Sequence, residues 1–129
     1  MAAGLPAATG DVLTASTVNG LVTFTTNTQT GTTYTAVLTD QYQVLVTMNN
    51  ASANTFKIPT NATAAIAVGS VITVLNLGAG ATTISAVTSG TTTVVSAGTV
   101  SASPTLAQYK SAACIKTGTD TWVIAGSIG

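Results

Sequence analysis

The chain has 129 residues, enough for one domain with an appended segment. Apolar residues make up 46% of it and charged residues only 5%, against about 25% in an ordinary soluble domain. The three Lys and three Asp cancel, and without Arg, Glu or His the composition disfavours both nucleic-acid binding, which needs clustered basic residues, and acid–base or nucleophilic catalysis.

Residues 1–35 are rich in Thr, Asn and Gly and hold too few large apolar side chains to build a core. The stretch LTASTVNGLV predicts a short helical turn at residues 15–21, because apolar residues recur there at i, i+3 and i+4. The Thr-rich chain that follows favours extended structure. We predict an extended N-terminal arm at 1–35 that contacts either its own domain or a neighbouring molecule through its apolar residues: Leu13, Val18, Leu21, Val22 and Phe24.

Residues 36–129 show short apolar runs separated by turn residues every eight to twelve positions, a spacing typical of all-β sandwiches and barrels. The last two runs, 108–116 and 121–125, predict a terminal hairpin. The run at 70–77, which is apolar on both faces, predicts a central strand. We therefore predict an all-β fold, with a single β-sandwich or jelly-roll-like domain at 36–129. The predicted strands are 43–48, 55–58, 70–77, 82–87, 91–95, 108–116 and 121–125.

The glycine-rich loop at 77–81 follows a predicted strand, as a phosphate-binding loop would. A dinucleotide-binding loop, however, opens a helix and precedes an acidic residue by about 20 positions. The residues after this loop favour a strand, and no acidic residue follows before Asp120. We therefore predict a glycine hairpin turn. We expect no cofactor or metal site, because three isolated Asp cannot supply the six to eight oxygens of a calcium loop.

Two further residues have a structural and a functional interpretation. Cys114 lies among small and apolar neighbours, and since the chain has no His to activate it, we expect a buried core residue. Trp122 is expected to point inward and anchor the core. The alternative is an exposed glycan-binding patch, in which Trp122 stacks on sugars together with Tyr109 or Tyr42.

Residues 62–81 form an uncharged stretch as long as the ~20 residues that a membrane-spanning helix needs. They also contain Thr, Ser, Asn and Gly, and the segment lacks flanking aromatic anchors. A β-branched run inside it favours a strand. We therefore expect no membrane span.

Four segments resemble bacteriophage virion structural proteins. GDVLTASTVNGL (residues 10–21) is similar to a segment near the start of many phage fibre and virion-attachment chains. The other three resemble a β module of phage fibres and head-decoration proteins and together cover most of 42–126. They are VLVTMNNASANTFKIPTN, AVGSVITVLNLGAGATTISA and QYKSAACIKTGTDTWVIAG.

This resemblance implies a non-enzymatic, homotrimeric β-structured appendage. A short chain with a thin arm and one sandwich fits a capsid decoration, or cement, protein on the outer face of the head. Its expected partners are then its own copies and the phage major capsid protein. The alternative is a tail-fibre or tail-associated component, including a module that recognises a host glycan.

Overall fold

The structure, a computed structural model, describes residues 25–42 and 44–128. These residues form eleven strands and one short 3-10 helix, Leu38–Gln41, which lies between the second and third strands. The strands are β1 (Thr25–Gln29), β2 (Thr33–Thr35), β3 (Val44–Met48), β4 (Asn54–Ile58), β5 (Val71–Asn76), β6 (Thr82–Ala86), β7 (Thr93–Ser96), β8 (Thr99–Val100), β9 (Thr105–Leu106), β10 (Ser111–Gly118) and β11 (Thr121–Gly126).

The strands form two sheets. Seven strands make the large sheet, in the order β1-β3-β5-β10-β11-β7-β8, and four make the small sheet, in the order β2-β4-β6-β9. The predicted all-β sandwich is confirmed. The predicted terminal hairpin is also present as β10 and β11, and β5 is an interior strand of the large sheet, as expected for 70–77.

Alternation of buried and partly exposed residues explains how these strands build a core. In β4, Phe56 and Ile58 are buried while Lys57 between them is not, as the sequence pattern predicts. Each large apolar side chain buried in this way contributes roughly 1.5–3 kcal/mol. The buried apolar cluster consists of Ala36, Val46, Met48, Phe56, Ile58, Ile66, Ile72, Val74, Ile84, Val94, Leu106, Ala112, Cys114, Trp122 and Ile124.

The first six strands wind around the core in parallel. The chain visits the large and the small sheet alternately, and β1, β3 and β5 pair in parallel in one sheet as β2, β4 and β6 do in the other. Between the second and third windings every paired residue lies 28 positions further along the chain, as in the pairs Val46 with Val74 and Phe56 with Ile84. The sandwich is therefore built from stacked windings.

The hairpin of β10 and β11 is inserted beside the third winding. β10 pairs antiparallel with β5, and β11 pairs in parallel with β7, so the hairpin separates two strands that would otherwise be neighbours. Five of the nine strand pairs in the described residues are parallel. This connectivity differs from that of a jelly roll, whose Greek keys are antiparallel.

Two local expectations need correction. The loop at 77–81 is a crossover from β5 in the large sheet to β6 in the small sheet and no hairpin; Gly78 and Gly80 allow it to lie against the backbone of Asn50 and Ser52 in the preceding winding. Residues 25–35, assigned to the arm, contain β1 and β2, so the sandwich begins earlier than residue 36.

Candidate assembly surface

The apolar arm residues predicted as assembly contacts, Leu13, Val18, Leu21, Val22 and Phe24, lie outside the described residues, as does the helical turn at 15–21. Within the described residues, the feature best suited to assembly is the outer face of the large sheet. Sequence reasoning missed this face because it depends on which strands are neighbours, and the pairing was not predicted.

One row of side chains crosses five adjacent strands of that sheet. Each member pairs with the next, and in β5, β10, β11 and β7 the strand residues beside it are buried, so the row faces away from the core. In β8 the neighbouring strand residue, Thr99, is itself exposed. The row is entirely β-branched and apolar, and its two ends are 44% and 65% exposed. We call it the apolar row: Val71, Ile115, Val123, Val95 and Val100.

Charge is absent from this outer face among the described residues. Asp40 and Lys116 are buried, Lys57 lies in the small sheet, and Lys110 and Asp120 lie in turns. The neighbouring positions on the face are Thr, Ala, Ser and Leu. A face of this composition has no ionic group to desolvate when another protein covers it.

The small sheet presents a different outer face. Its central row consists of four threonines, Thr33, Thr55, Thr83 and Thr105, which are paired in sequence across the four strands. The next row along the strands contains Thr35, Lys57 and Ser85. Hydroxyl groups and an ammonium suit contact with water. Of the two outer faces, that of the large sheet is therefore the better candidate for an interface.

The size of the large sheet's face is compatible with a protein interface. Seven strands about 4.8 Å apart, with an average length of about five residues, span roughly 30 by 17 Å, or about 500 Å² of projected area. A standard interface buries about 800 Å² on each partner. The sheet face alone supplies much of such an interface, and a second contact would complete it.

Lys116 is the centre of a polar cluster in the interior beneath this face. Strand alternation places Lys116 on the opposite face of β10 from Ile115, and the burial pattern of the strand shows that the lysine face points inward. Its Nζ donates to Asn61 Oδ1 at 2.7 Å and to the Ile66 carbonyl at 2.5 Å, and lies 5.9 Å from the centre of the Trp122 ring. Burial lowers the pKa of Lys116, and the charge of Asp120 partly opposes that shift.

Asp40 organises the other polar cluster, close to β1. Its carboxylate accepts hydrogen bonds from the Tyr34 hydroxyl at 2.6 Å, the Val37 amide at 2.9 Å and the Asn27 side chain at 3.1 Å. Burial, assisted by the bond to Asp40, raises the pKa of Tyr34 to about 12. Asp40 thus serves as the turn and capping residue that isolated Asp residues favour.

The structure also decides between the two interpretations of Trp122. Its ring is 2% exposed, so it anchors the core as expected and cannot stack on a sugar at the surface. Tyr42 and Tyr109, the proposed co-members of a glycan patch, are exposed. Cys114 is fully buried, also as expected, and burial raises the pKa of its thiol to about 12.

Comparison with protein-family models, with curated proteins and with solved structures found no match for this chain. The described residues contain no helix that is long and apolar enough to cross a membrane. Residues 62–81, weighed above as a membrane span, contain a loop and β5.

Proposed function

We propose that this chain is a non-enzymatic structural protein of a phage virion: a homotrimeric decoration protein that binds the outer face of the head and stabilises it. The supporting observation is the uncharged outer face of the large sheet with its apolar row. The resemblance of residues 10–21 and 42–126 to phage fibre and head-decoration segments supports the same proposal.

The mechanism is passive burial. Each copy lays the apolar row against the shell, where removal of apolar surface from water is worth roughly 25 cal/mol per Å². A trimer presents three such faces at once, so modest individual contacts combine into strong attachment. Because neither partner need change covalently, the chain requires no cofactor or catalytic group.

A pair of matched variants tests the role of this face. Val123→Lys places a charge in the middle of the apolar row, whereas Thr83→Lys places the same charge on the outer face of the small sheet. Both positions are partly exposed, so both variants should fold. We expect Val123→Lys to lose co-sedimentation with phage heads assembled without this chain, and Thr83→Lys to retain it.

Four results would count against the proposal. A wild-type chain that stays monomeric at micromolar concentration argues against the trimer, and one that ignores heads argues against decoration. Equal binding by Val123→Lys and Thr83→Lys would remove the apolar row from the interface. Imaging of an intact particle locates the chain on head or tail, and a tail position would favour the fibre alternative.

A further inference from the structure

Lys116 brings a primary amine into contact with a side-chain amide. Its Nζ, on β10, donates to Asn61 Oδ1 at 2.7 Å, and Asn61 lies in the crossover from β4 to β5. Since a carbonyl bond is about 1.23 Å long, Asn61 Cγ lies no more than about 3.9 Å from Nζ. Atoms poised to react are about 3–3.5 Å apart, so a small rotation of either side chain brings the amine within reach of the carbonyl carbon.

The folded backbone holds both residues in place. The Lys116 amide donates to the Ser70 carbonyl at 3.0 Å, and the Lys116 carbonyl accepts from the Gly69 amide at 2.7 Å. The Asn61 amide donates to Asp120 Oδ1 at 2.8 Å. Two side chains that lie 55 positions apart in sequence therefore meet in a fixed geometry, and the entropy of bringing them together is already lost on folding.

The surroundings of Lys116 Nζ favour loss of its charge. Lys116 is only 2% exposed, and its hydrogen-bond acceptors among the described residues, Asn61 Oδ1 and the Ile66 carbonyl, are neutral. The buried Trp122 ring lies beside it. Burial lowers the pKa of Lys116, although the charge of Asp120 opposes that shift. A desolvated lysine in its neutral form carries a lone pair and is a nucleophile.

We propose that Lys116 and Asn61 form an isopeptide bond within the folded chain. The lone pair of the neutral amine attacks Asn61 Cγ, so that an Nζ–Cγ bond forms and the Cγ–Nδ2 bond breaks. One Nζ proton passes to Nδ2, which leaves as ammonia, and no oxidant, reductant or cofactor is consumed. Asn61 is partly exposed, which gives the ammonia a way out to water. The reaction occurs once per chain, so the protein remains non-enzymatic.

The linked product suits the site better than the separate groups. The new amide keeps one N–H to donate to the Ile66 carbonyl, and Asn61 Oδ1 remains a carbonyl oxygen. The cost of holding an ammonium group among neutral partners disappears. The bond joins the inserted hairpin to the crossover between the second and third windings. A linked Lys116 carries no charge, so any effect of its pKa on stability belongs to the unlinked chain.

Tryptic digestion of the purified full-length chain tests the proposal. Trypsin cleaves after Lys57, Lys110 and Lys116, because the chain has no Arg. An unlinked chain gives the peptides 58–110, 111–116 and 117–129. A linked Lys116 resists cleavage, so the wild type should give a branched product of 58–110 joined to 111–129, lighter than the two peptides together by one ammonia molecule.

Two variants show which amide reacts. Asn61→Ala, in a partly exposed turn, should give the three unlinked peptides. Asn50→Ala removes a different hydrogen-bonded asparagine side chain and should keep the branched product. Release of 117–129 from the whole of the folded wild type, or an equal loss of ammonia in Asn61→Ala, overturns the inference.

This outcome is independent of the proposed function. A chain that carries the branched product but neither trimerises nor binds heads upholds the bond and removes the proposed function. A chain that trimerises and binds heads with Lys116 unlinked removes the bond and leaves the proposed function standing.

Discussion

At the scale of single residues, Asn76 shows how polar groups hold the windings together. It is fully buried; its side chain donates to the carbonyls of Gly80 at 2.8 Å and Leu106 at 2.9 Å and accepts from the Gly78 amide at 3.0 Å. The bonds join one end of β5 to the following crossover and to β9. A single side chain thus links both sheets.

Asn76→Ala should lower the free energy of unfolding by about 2–4 kcal/mol, because it leaves these backbone groups buried without partners. Asn50→Ala is the matched control. The Asn50 side chain donates to the Thr30 carbonyl and accepts from the Ser52 amide, and both bonds are exposed to water. The free energy of unfolding should therefore fall by less than about 1 kcal/mol. Urea unfolding measures both changes. Equal losses would mean that burial of the Asn76 network contributes nothing.

The raised pKa of Tyr34 predicts a loss of stability in base. The hydroxyl keeps its proton in the folded state up to about pH 12 but releases it near pH 10 in the unfolded state. Stability from this group is therefore complete below pH 10 and declines between pH 10 and 12. The raised pKa of Cys114 adds a loss of stability that starts near pH 9. The lowered pKa of Lys116 has the opposite effect, because it makes stability increase with pH below pH 10.5.

Tyr34→Phe should reduce the slope of unfolding free energy against pH between pH 10 and 12. Tyr109→Phe, which alters a ring that is 73% exposed, is the control and should keep the wild-type slope. The slopes come from urea unfolding at closely spaced pH values. An unchanged slope in Tyr34→Phe would exclude Tyr34 as a source of the alkaline loss.

At the scale of elements, close stacking of the crossovers explains the need for glycine at position 80. A Cβ added there would overlap the Ser52 carbonyl in the winding beneath, and backbone cannot move aside as a flexible side chain can. Gly80→Ala should destabilise the chain by roughly 1–3 kcal/mol, as overpacking does. Gly90→Ala, where no atom lies within 4 Å, should change stability by less than about 0.5 kcal/mol. Thermal unfolding distinguishes them, and similar midpoints for both variants would contradict the stacked-crossover geometry.

The elements also show why sequence reasoning located the strands but missed their partners. Alternation is a local property, so β4 and β11 were predicted close to their observed bounds. The parallel pairing follows a 28-residue spacing in which only two of the nine residue pairs are identical, Val46 with Val74 and Thr55 with Thr83. That spacing is hard to recognise without the structure.

The inward position of Lys116 has a related explanation. Its partners, Asn61 and Ile66, lie 55 and 50 positions away in sequence, and only the folded chain brings them close enough to compensate a buried ammonium group. The apolar row was beyond sequence reasoning for the same reason. Its members lie on five strands whose neighbours are set by the inserted hairpin.

At the scale of the whole molecule, β1 and β2 determine how the chain responds to N-terminal deletion. Deletion of residues 1–24 and deletion of residues 1–35 should have different effects, because only the second removes these strands. β1 pairs with β3 over five residues, β2 pairs with β4, and Asn27 and Tyr34 bond to Asp40. Removal of residues 1–35 strips an edge strand from each sheet and leaves Asp40 without two of its partners. Removal of residues 1–24 leaves all of these contacts in place.

We therefore expect the chain lacking residues 1–24 to unfold cooperatively and to remain soluble, but to be monomeric, because the apolar residues predicted as assembly contacts are gone. The chain lacking residues 1–35 should be destabilised and aggregate, since unprotected edge strands recruit one another. Circular dichroism during heating and analytical ultracentrifugation report the two properties separately. A trimer that survives loss of residues 1–24 would show that the sandwich alone closes the ring, and a stable fold after loss of residues 1–35 would show that β1 and β2 only cover a core complete without them.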